Sequence, residues 1–368
     1  MPPIKVMLSG GGTGGHIFPA VAIADEIKAR YPDAEFLFVG AKDKMEMEKV
    51  PKAGYAIEGL WISGIQRKLT LDNLSFPFKL LSSIFKSRKL LMGFKPDVVI
   101  GTGGFASGPL VWAAAQKGIP SLIQEQNSFP GITNKLLASK AQRICVAYEG
   151  MERFFPSEKL ILSGNPLRKG LDRSLPSNPE AKSKFGLNPE WPSLLILGGS
   201  LGARRINEMI SEQMESFQKW ELNIIWQCGK LYSEALKTKH GDLPNHIHLE
   251  AFISDMPQAY AASDIVISRA GANTLSELAV VGKAAILIPS PNVAEDHQTK
   301  NAEALSSKGA AILFKEQRNS KELSDCLQNL LSNPAEAENL QNNIKALALP
   351  QAAKTIVDEI EKISSHAR

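Results

Sequence analysis

Three glycine-rich loops, each placed after a short apolar run, are the segments best suited to bind a phosphorylated ligand. They are loop 1 (Gly10–His16), loop 2 (Gly101–Phe105) and loop 3 (Gly198–Ala203). A glycine loop between a strand and a helix lets backbone N–H groups approach phosphate oxygens, and the helix start adds the positive end of its dipole. Three such loops indicate a protein that binds two phosphorylated substrates, and tight turns without any ligand are the alternative.

Loop 1 also fits the Gly-x-Gly-x-x-Gly pattern of dinucleotide-binding proteins, with Gly10, Gly12 and Gly15 in register. That fingerprint requires an acidic residue at the end of the second strand, where it binds the adenine ribose. The second predicted strand ends at Val39, and no acidic residue follows before Asp43. The sequence therefore disfavours a nicotinamide cofactor.

Polar segments follow other predicted strands, at the carboxyl ends where open α/β sheets bind their ligands. Glu125–Asn127 follows one strand, and Asp296–Gln298 opens a helix after a loop. Each has an alternative explanation, namely a solvated loop around Asn127 and simple helix capping by Asp296.

The segment Arg269–Glu277 also follows a predicted strand, and it contains a carboxylate with two possible roles. Glu277 can accept two hydrogen bonds from the vicinal hydroxyl groups of a ribose. It can equally close a capping box, with Asn273 or Thr274 as the helix cap. Spacing alone does not distinguish these two interpretations.

Neither a metal ion nor an organic cofactor is predicted. The sequence contains no Asp-x-Asp pair and no cluster of histidines and carboxylates with metal-ligand spacing. If the donor is a nucleotide-sugar, helix starts, backbone amides and arginines must neutralise the departing diphosphate, and Ser200 and Arg168 are placed to contribute. One helix end contributes only about 0.3–2 kcal/mol, so several such groups must act together.

The elements that position these residues alternate between strands and helices along the chain. This alternation predicts parallel sheets that are covered on both faces. A proline-rich stretch interrupts this alternation and predicts a domain boundary near Gly164. The chain would then form two Rossmann-like domains, 1–163 and 164–350. A last helix in 351–368 can return to the first domain. The predicted strands are Lys5–Ser9, Glu35–Val39, Asp97–Ile100, Ser121–Ile123, Arg143–Val146, Leu160–Leu162, Leu194–Leu197, Asn223–Trp226, Ile247–Leu249, Ile265–Ser268 and Ala285–Ile288.

Composition limits the class of protein. A chain of 368 residues with 43% hydrophobic residues suits two globular α/β domains. Its three scattered cysteines argue against a disulfide framework or a zinc site, and they suit a reducing compartment. No apolar run approaches the roughly 20 residues of a membrane-spanning helix, and the N-terminus lacks the pattern of a signal peptide, so a soluble or peripheral protein is expected.

Residues 61–95 are rich in lysine, arginine, aromatic and aliphatic side chains and carry one acidic residue. A basic segment with exposed aromatic groups suits the surface of an anionic bilayer. The spacing of Leu81, Ile84 and Phe85 also fits an ordinary helix that packs on a sheet and exposes its lysines. Because no recognised nucleic-acid motif accompanies the charge, membrane contact is predicted and nucleic acid is not.

Several segments, taken together and in order, resemble a single family. They are GGGTGGH, GTGGFASGP, QEQN, GNPLR, GGSLGARRIN, AFISDM, RAGANTLSE and EDHQ. The family is that of the UDP-N-acetylglucosamine:N-acetylmuramyl-(pentapeptide) pyrophosphoryl-undecaprenol N-acetylglucosamine transferases of bacterial cell-wall synthesis, the MurG family. The resemblance covers nearly the whole chain and implies a GT-B fold, in which two Rossmann-like domains with parallel sheets face a central cleft.

The resemblance also implies the substrates and their binding residues. UDP-GlcNAc would be the donor and a lipid-linked muramoyl-pentapeptide the acceptor, at the cytoplasmic face of the membrane. Ile253 would present its backbone to uracil, Glu277 would hold the ribose and Ser200 would meet phosphate, while Gly103 and Gly104 would bind the acceptor diphosphate. The other implied donor contacts are Thr13, Gly14, Gly15, Asn127, Arg168, Ala272, Asn273, Thr274, Leu275, Ser276 and Gln298.

The implied reaction inverts the anomeric carbon. The C4 hydroxyl of the acceptor sugar attacks the α-linked N-acetylglucosamine, and His16 is the candidate base that removes its proton. The alternative is a role in which His16 only bonds a phosphate or a backbone carbonyl. Asn273 departs from the family pattern, which has leucine there. Two other functions fit the architecture: a UDP-N-acetylglucosamine epimerase, which needs no lipid acceptor, and a non-catalytic sensor of UDP-sugars.

Overall fold

A computed structural model describes residues 3–64, 75–167, 170–171, 175–199 and 201–365 of the chain. Contacts divide the chain into two units. Unit 1 comprises Met1–Lys169 with Leu349–Arg368, and unit 2 comprises Gly170–Ala348. Each unit is built around one parallel sheet, which confirms the predicted pair of Rossmann-like domains.

The sheet of unit 1 has the strand order β3-β2-β1-β4-β5-β6-β7, and its strands pair in parallel. β3 was not predicted, because Glu58 and Gly59 interrupt its short apolar run. Strands that are buried on both faces need apolar residues throughout, as in β4, where every residue is buried. The strands are β1 (Lys5–Ser9), β2 (Glu35–Ala41), β3 (Ile57–Leu60), β4 (Val98–Gly101), β5 (Ser121–Glu125), β6 (Arg143–Val146) and β7 (Leu160–Leu162).

Helices cover both faces of this sheet. The segment between β1 and β4 contributes α1 (Gly14–Arg30), α2 (Glu46–Lys52) and α3 (Phe76–Phe94), and α4 (Ser107–Gln116) and α5 (Ile132–Leu137) follow. Ile17 and Ile23 of α1 share one apolar core with Ile356 and Ile360 of the last helix. Leu110 and Val111 of α4 belong to a second core.

The chain segment just after β7 remains attached to unit 1. The Asn165 side chain lies between Gln124 and Gln126, with hydrogen bonds of 2.9 and 3.1 Å. Gly164 lies directly against Leu349, at the start of the returning C-terminal segment. The unit therefore extends through Asn165 and includes the last helix, whose residues contact α1 and form an ion pair between Asp358 and Arg30 at 2.6 Å.

The sheet of unit 2 has the order β10-β9-β8-β11-β12-β13, which repeats the arrangement of unit 1 around its own first strand. The two-residue strand β13 was not predicted, because it is too short for a periodic pattern. The strands are β8 (Ser193–Leu197), β9 (Asn223–Gln227), β10 (Ile247–Glu250), β11 (Ile265–Ser268), β12 (Ala284–Leu287) and β13 (Ile312–Leu313). The helices are α6 (Asn178–Lys184), α7 (Arg204–Phe217), α8 (Ser233–His240), α9 (Met256–Ala262), α10 (Ala272–Val281), α11 (His297–Ser306), α12 (Ser320–Ser332), α13 (Pro334–Ala346) and, returning to unit 1, α14 (Ala352–Ser365).

Strand order determines where each sheet can bind a ligand. The chain reverses its winding direction between β1 and β4 in unit 1, and between β8 and β11 in unit 2. Open α/β sheets bind ligands at the carboxyl ends of the strands at such points. Loops 1 and 2 follow β1 and β4, while loop 3 and the segment before α10 follow β8 and β11. The predicted binding segments thus lie at the expected position of each sheet.

Candidate functional site

A buried carboxylate holds loop 1 against unit 1. Glu46, the first residue of α2, is fully buried, and its oxygens accept hydrogen bonds from the backbone N–H groups of Gly12 and Ala41, each at 3.0 Å. The Gly12 amide is thereby engaged within the protein. Sequence reasoning missed Glu46, because nothing in its spacing connects it to loop 1.

The start of α1 provides the remaining amides of this loop. Thr13 is the N-cap residue with an extended backbone, and its side chain makes no capping hydrogen bond. Gly14 and Gly15 are the first helical residues, whose N–H groups have no acceptor within the helix. At these predicted donor-binding residues, N–H groups without an acceptor in the helix lie at the positive end of the helix dipole.

His16 lies in the first turn of α1, and contacts on one nitrogen fix its ring. Nδ1 lies 3.0 Å from the carbonyl oxygen of Thr102 and 2.8 Å from Oε1 of Gln126. Because both oxygens accept, Nδ1 carries the proton in the neutral ring, and the lone pair remains on Nε2. Both predicted roles are thus compatible: Nδ1 bonds a backbone carbonyl, and Nε2 is the nitrogen that can accept a proton.

Buried amide side chains hold Gln126 in this orientation. Its Nε2 donates to the carbonyl oxygen of Thr102 at 2.8 Å and to Oε1 of Gln124. Gln124 donates to Asn165 at 2.9 Å, and Asn165 donates back to the carbonyl oxygen of Gln126 at 3.1 Å. Reversing any one amide would bring two donors or two acceptors together, so the network fixes which end of Gln126 meets His16.

Glu125 anchors the loop that carries Asn127. Its Oε1 accepts from the backbone N–H and the side-chain amide of Asn127 at 3.0 and 3.1 Å. Its Oε2 accepts from the Gly131 N–H at 3.1 Å and from Asn134 at 2.8 Å. Asn127 is half-buried, and the buried Glu125 carboxylate fixes its orientation through two hydrogen bonds.

Gly103 and Gly104 bring loop 2 into contact with loop 1 and His16. Their φ angles are 96° and 79°, a region that favours glycine. A Cβ atom at Gly103 would lie 2.8 Å from Nδ1 of His16, and one at Gly104 would collide with the carbonyl oxygen of Gly11. The two residues predicted to bind the acceptor diphosphate thus lie beside the predicted base.

The predicted phosphate contacts Ser200 of unit 2 and Arg168, near the end of the first segment of unit 1, lie outside the described residues. Of the rest of loop 3, the Gly198 N–H donates to the carbonyl oxygen of Gln227 at 3.0 Å. The Gln227 side chain in turn accepts the N–H of Ile253 at 3.1 Å. If the N–H of Ile253 is to bind uracil, its hydrogen bond to Gln227 must first break. The carbonyl oxygen of Ile253 could bind uracil without this change.

Helix α10 begins without a side-chain cap. Gly271 is its N-cap residue, and the predicted contacts Ala272–Ser276 form the first turns. Leu275 is buried and its N–H donates to the carbonyl oxygen of Gly271 at 3.0 Å, so the structure does not favour the predicted donor contact of Leu275. The capping-box interpretation is wrong, because with Gly271 as the cap the reciprocal position is Thr274, and Glu277 instead accepts a hydrogen bond from the hydroxyl of Tyr260 at 3.0 Å.

Asn273, where the sequence departs from the family pattern, contributes a polar atom to the first turn of α10. Its Oδ1 is buried and has no hydrogen-bond partner among the residues that the structure describes. Nothing else in the structure explains the substitution.

Gln298 lies in the first turn of α11, and its Oε1 accepts the N–H of Ser290 at 2.8 Å. The two residues before this helix, Glu295 and Asp296, have φ angles of 54° and 51°. Such angles are uncommon outside glycine and cluster at functional sites. The Asp296 side chain makes no capping bond to the helix and accepts the Thr299 hydroxyl at 2.7 Å, so helix capping by Asp296 is wrong.

Helix α3 exposes a row of large apolar side chains. The helix packs on α4, and its buried positions include the small residues Ser83 and Ser87. The interpretation that Leu81 and Phe85 pack inward is therefore wrong, because small serines occupy the contact side and the large residues face outward. Residues 65–74 of the predicted membrane segment lie outside the described residues. The exposed side chains are Phe78 (70%), Phe85 (65%), Met92 (56%) and Leu81 (55%).

The buried thiols are unsuited to nucleophilic catalysis. Burial raises the pKa of Cys145 to about 12, and it also raises the pKa of Cys228. Among the residues covered by the structure, no group of three or more His, Cys, Asp or Glu side chains could hold a metal ion, and no helix is long and apolar enough to cross a membrane.

Both units match models of the same family. The glycosyltransferase family 28 N-terminal domain matches residues 6–146, and the glycosyltransferase family 28 C-terminal domain matches residues 193–356. A curated relative from Flavobacterium psychrophilum is 57% identical over 99% of this chain and 98% of its own length. That relative is named UDP-N-acetylglucosamine--N-acetylmuramyl-(pentapeptide) pyrophosphoryl-undecaprenol N-acetylglucosamine transferase.

Solved structures agree with this match. The crystal structure of MurG from Acinetobacter baumannii superposes with a TM-score of 0.78 at 31% identity, covering 98% of this chain and 100% of the other. The UDP-GlcNAc 2-epimerase from Neisseria meningitidis, solved with UDP-GlcNAc, has a TM-score of 0.65 at 16% identity, covering 98% and 100%. At that low identity the epimerase shows a shared fold alone.

Proposed function

This chain belongs to the family of UDP-N-acetylglucosamine--N-acetylmuramyl-(pentapeptide) pyrophosphoryl-undecaprenol N-acetylglucosamine transferases, and from that premise we propose how its residues carry out the transfer. The donor is UDP-N-acetylglucosamine, and the acceptor is undecaprenyl-pyrophosphoryl-muramoyl-pentapeptide. The observation that carries the proposal is the oriented ring of His16 beside loops 1 and 2, at the ligand-binding edge of unit 1.

Unit 2 is proposed to bind the donor. The first turn of α10, which includes Asn273 and Thr274, presents the positive end of the helix dipole and suits a diphosphate. Glu277 would accept the ribose hydroxyl groups, and Ile253 would meet uracil through its backbone. Ser200 and Arg168 remain proposed phosphate contacts.

The acceptor is proposed to bind unit 1, with its diphosphate near Gly103 and Gly104. Nε2 of His16 would take the proton of the C4 hydroxyl as that oxygen attacks C1 of N-acetylglucosamine. The C1–O bond to UDP breaks on the opposite face, so the α linkage becomes a β1,4 linkage. UDP leaves with the bonding electron pair, and amides already in position stabilise its charge without reorganising. His16 then returns the proton to solvent.

A transfer assay tests the whole proposal. Labelled UDP-N-acetylglucosamine and a short-chain lipid pyrophosphoryl-muramoyl acceptor should give product at an undiminished rate in EDTA, because amides and helix starts, with no bound cation, are proposed to neutralise UDP. UDP-N-acetylglucosamine alone should give no manno epimer. Activity lost on chelation and restored by magnesium would contradict metal independence. Epimer formation would favour the epimerase, and donor binding without transfer would favour a sensor.

The outer side of α3 is proposed to bind the cytoplasmic face of an anionic membrane. Phe78 and Phe85 are exposed on one helix, and Lys89 is exposed between Phe85 and Met92. Exposed aromatic groups enter the interfacial region of a bilayer, and nearby lysines attract anionic headgroups. Not every basic residue is available for this, since Lys86 is paired with Glu58 at 2.7 Å.

Replacing Phe78 and Phe85 together by serine should weaken binding to anionic vesicles by at least about tenfold, because full burial of one phenylalanine is worth about 1.5–3 kcal/mol. Co-sedimentation measures this effect. Leu231→Ser is the matched control, since Leu231 is 71% exposed on unit 2. Wild-type binding should also weaken with salt, as the Debye length falls from about 10 Å at 0.1 M to about 3 Å at 1 M. Equal binding by the double variant would refute the role of α3.

A further inference from the structure

Tyr260 makes a contact that neither its position in the sequence nor the family resemblance assigns. It lies on α9 with no exposed surface, and its hydroxyl donates to Oε2 of Glu277 at 3.0 Å. Glu277 is itself 3% exposed. A buried carboxylate is costly unless hydrogen bonds stabilise it, and a phenol has one proton to donate. The hydroxyl of Tyr260 therefore gives its one proton to Oε2 of Glu277.

We propose that Tyr260 is a positioning residue, whose hydroxyl orients the Glu277 carboxylate to accept hydrogen bonds from the ribose of the uridine nucleotide. The inference rests on the proposed function, because it requires Glu277 to be the ribose ligand. Tyr260 does not touch the nucleotide and acts through Glu277.

The physical reason lies in the torsions of glutamate. The terminal torsion of a glutamate side chain is broad, so a carboxylate without a fixed partner samples many orientations. Two vicinal hydroxyl groups need acceptor lone pairs in defined directions. A hydrogen bond from a rigid, buried ring restricts this rotation before the ligand arrives, which lowers the entropy lost on binding. The effect should appear in donor affinity and in recognition of the ribose hydroxyls, and not in the chemical step.

The test compares UDP with 2′-deoxy-UDP as competitive inhibitors of the transfer reaction. In Tyr260→Phe, which keeps the ring, the KM for UDP-N-acetylglucosamine should rise about five- to tenfold with kcat changed less than about twofold. The preference for UDP over 2′-deoxy-UDP should shrink by a similar factor. Loss of stability alone, with the ribose preference intact, would overturn the inference.

Tyr55→Phe is the matched control. Tyr55 is buried in unit 1, and its hydroxyl donates to the Asp25 carboxylate at 2.6 Å. Removing that hydroxyl therefore breaks the same kind of hydrogen bond at a position far along the chain from Glu277. It should leave the ribose preference unchanged. An equal loss of preference in both variants would show a general effect of destabilisation and overturn the inference.

Glu277→Gln separates this inference from the proposed function and remains informative if Tyr260→Phe folds poorly. If Glu277→Gln leaves the preference for UDP intact, Glu277 is not the ribose ligand, and its proposed ribose role falls together with the positioning role of Tyr260, while the transfer assay still tests the proposed function. If Glu277→Gln removes the preference while Tyr260→Phe keeps it, only the positioning role falls. Where Tyr260 acts through Glu277, the double variant should bind UDP no more weakly than Glu277→Gln alone, and additive losses would contradict that.

Discussion

Replacing His16 by alanine is expected to lower kcat for transfer by about 10²- to 10⁴-fold, the range that general-base catalysis typically contributes. Nδ1 is committed to the Thr102 carbonyl and to Gln126, which leaves Nε2 as the proton acceptor. The KM for the donor should change little, because the contacts with uracil and ribose are proposed to lie on unit 2. Initial rates at saturating concentrations of both substrates measure the effect.

His240→Ala is the matched control for this experiment. His240 lies on α8 of unit 2 and bonds the Ser211 hydroxyl at 2.8 Å, so removing it should leave kcat unchanged. Undiminished turnover by His16→Ala would exclude His16 as the base. A rise in acceptor KM at constant kcat would favour the other role, in which His16 only binds a phosphate or supports loop 2.

Replacing Glu277 by glutamine is expected to raise the KM for UDP-N-acetylglucosamine about ten- to hundredfold. Hydrogen bonds to a charged group contribute about 1.5–3 kcal/mol, and the substitution keeps the shape of the side chain while removing its charge. The Tyr260 hydroxyl can still donate to the amide oxygen, so the fold around α10 should persist. Calorimetric binding of UDP, together with steady-state KM, measures the change.

The control for the Glu277 variant is Glu190→Gln, an exposed residue of the same unit, which should bind UDP as wild type does. A Glu277→Gln protein that unfolds more easily yet binds UDP normally would place Glu277 in a purely structural role. Its contact with Tyr260 would then serve only to satisfy a buried charge.

Much of the fold follows from local sequence. β1, β6, β7 and β11 match their predicted bounds, because each contains a short continuous apolar run. The position of the binding loops also follows, since a strand that runs into glycines and then a helix places them at the carboxyl edge of a sheet. The prediction failed for β3 and β13, where the apolar run is interrupted or too short.

Helix α3 shows what periodicity alone does not reveal. The spacing of Leu81 and Phe85 is helical, but periodicity does not state which side of a helix faces the protein. The structure places Ser83 and Ser87 inward, so the apolar row is exposed. The side of α3 that faces the protein is determined by the helix against which α3 packs. That packing is part of the tertiary structure and cannot be read from the spacing of the residues in α3.

The two Rossmann-like domains, the family and the segments that carry the chemistry could be predicted from the sequence, because ordered motifs and hydrophobic runs are local. The atoms that those segments present became known from the packing of the folded chain. His16 meets Gln126 across 110 positions, Gly12 meets Glu46 across 34, and Glu277 meets Tyr260 across 17. Strand order and helix packing bring such pairs together, and no local pattern records the resulting hydrogen-bond partner, the tautomer of a histidine or the orientation of a carboxylate.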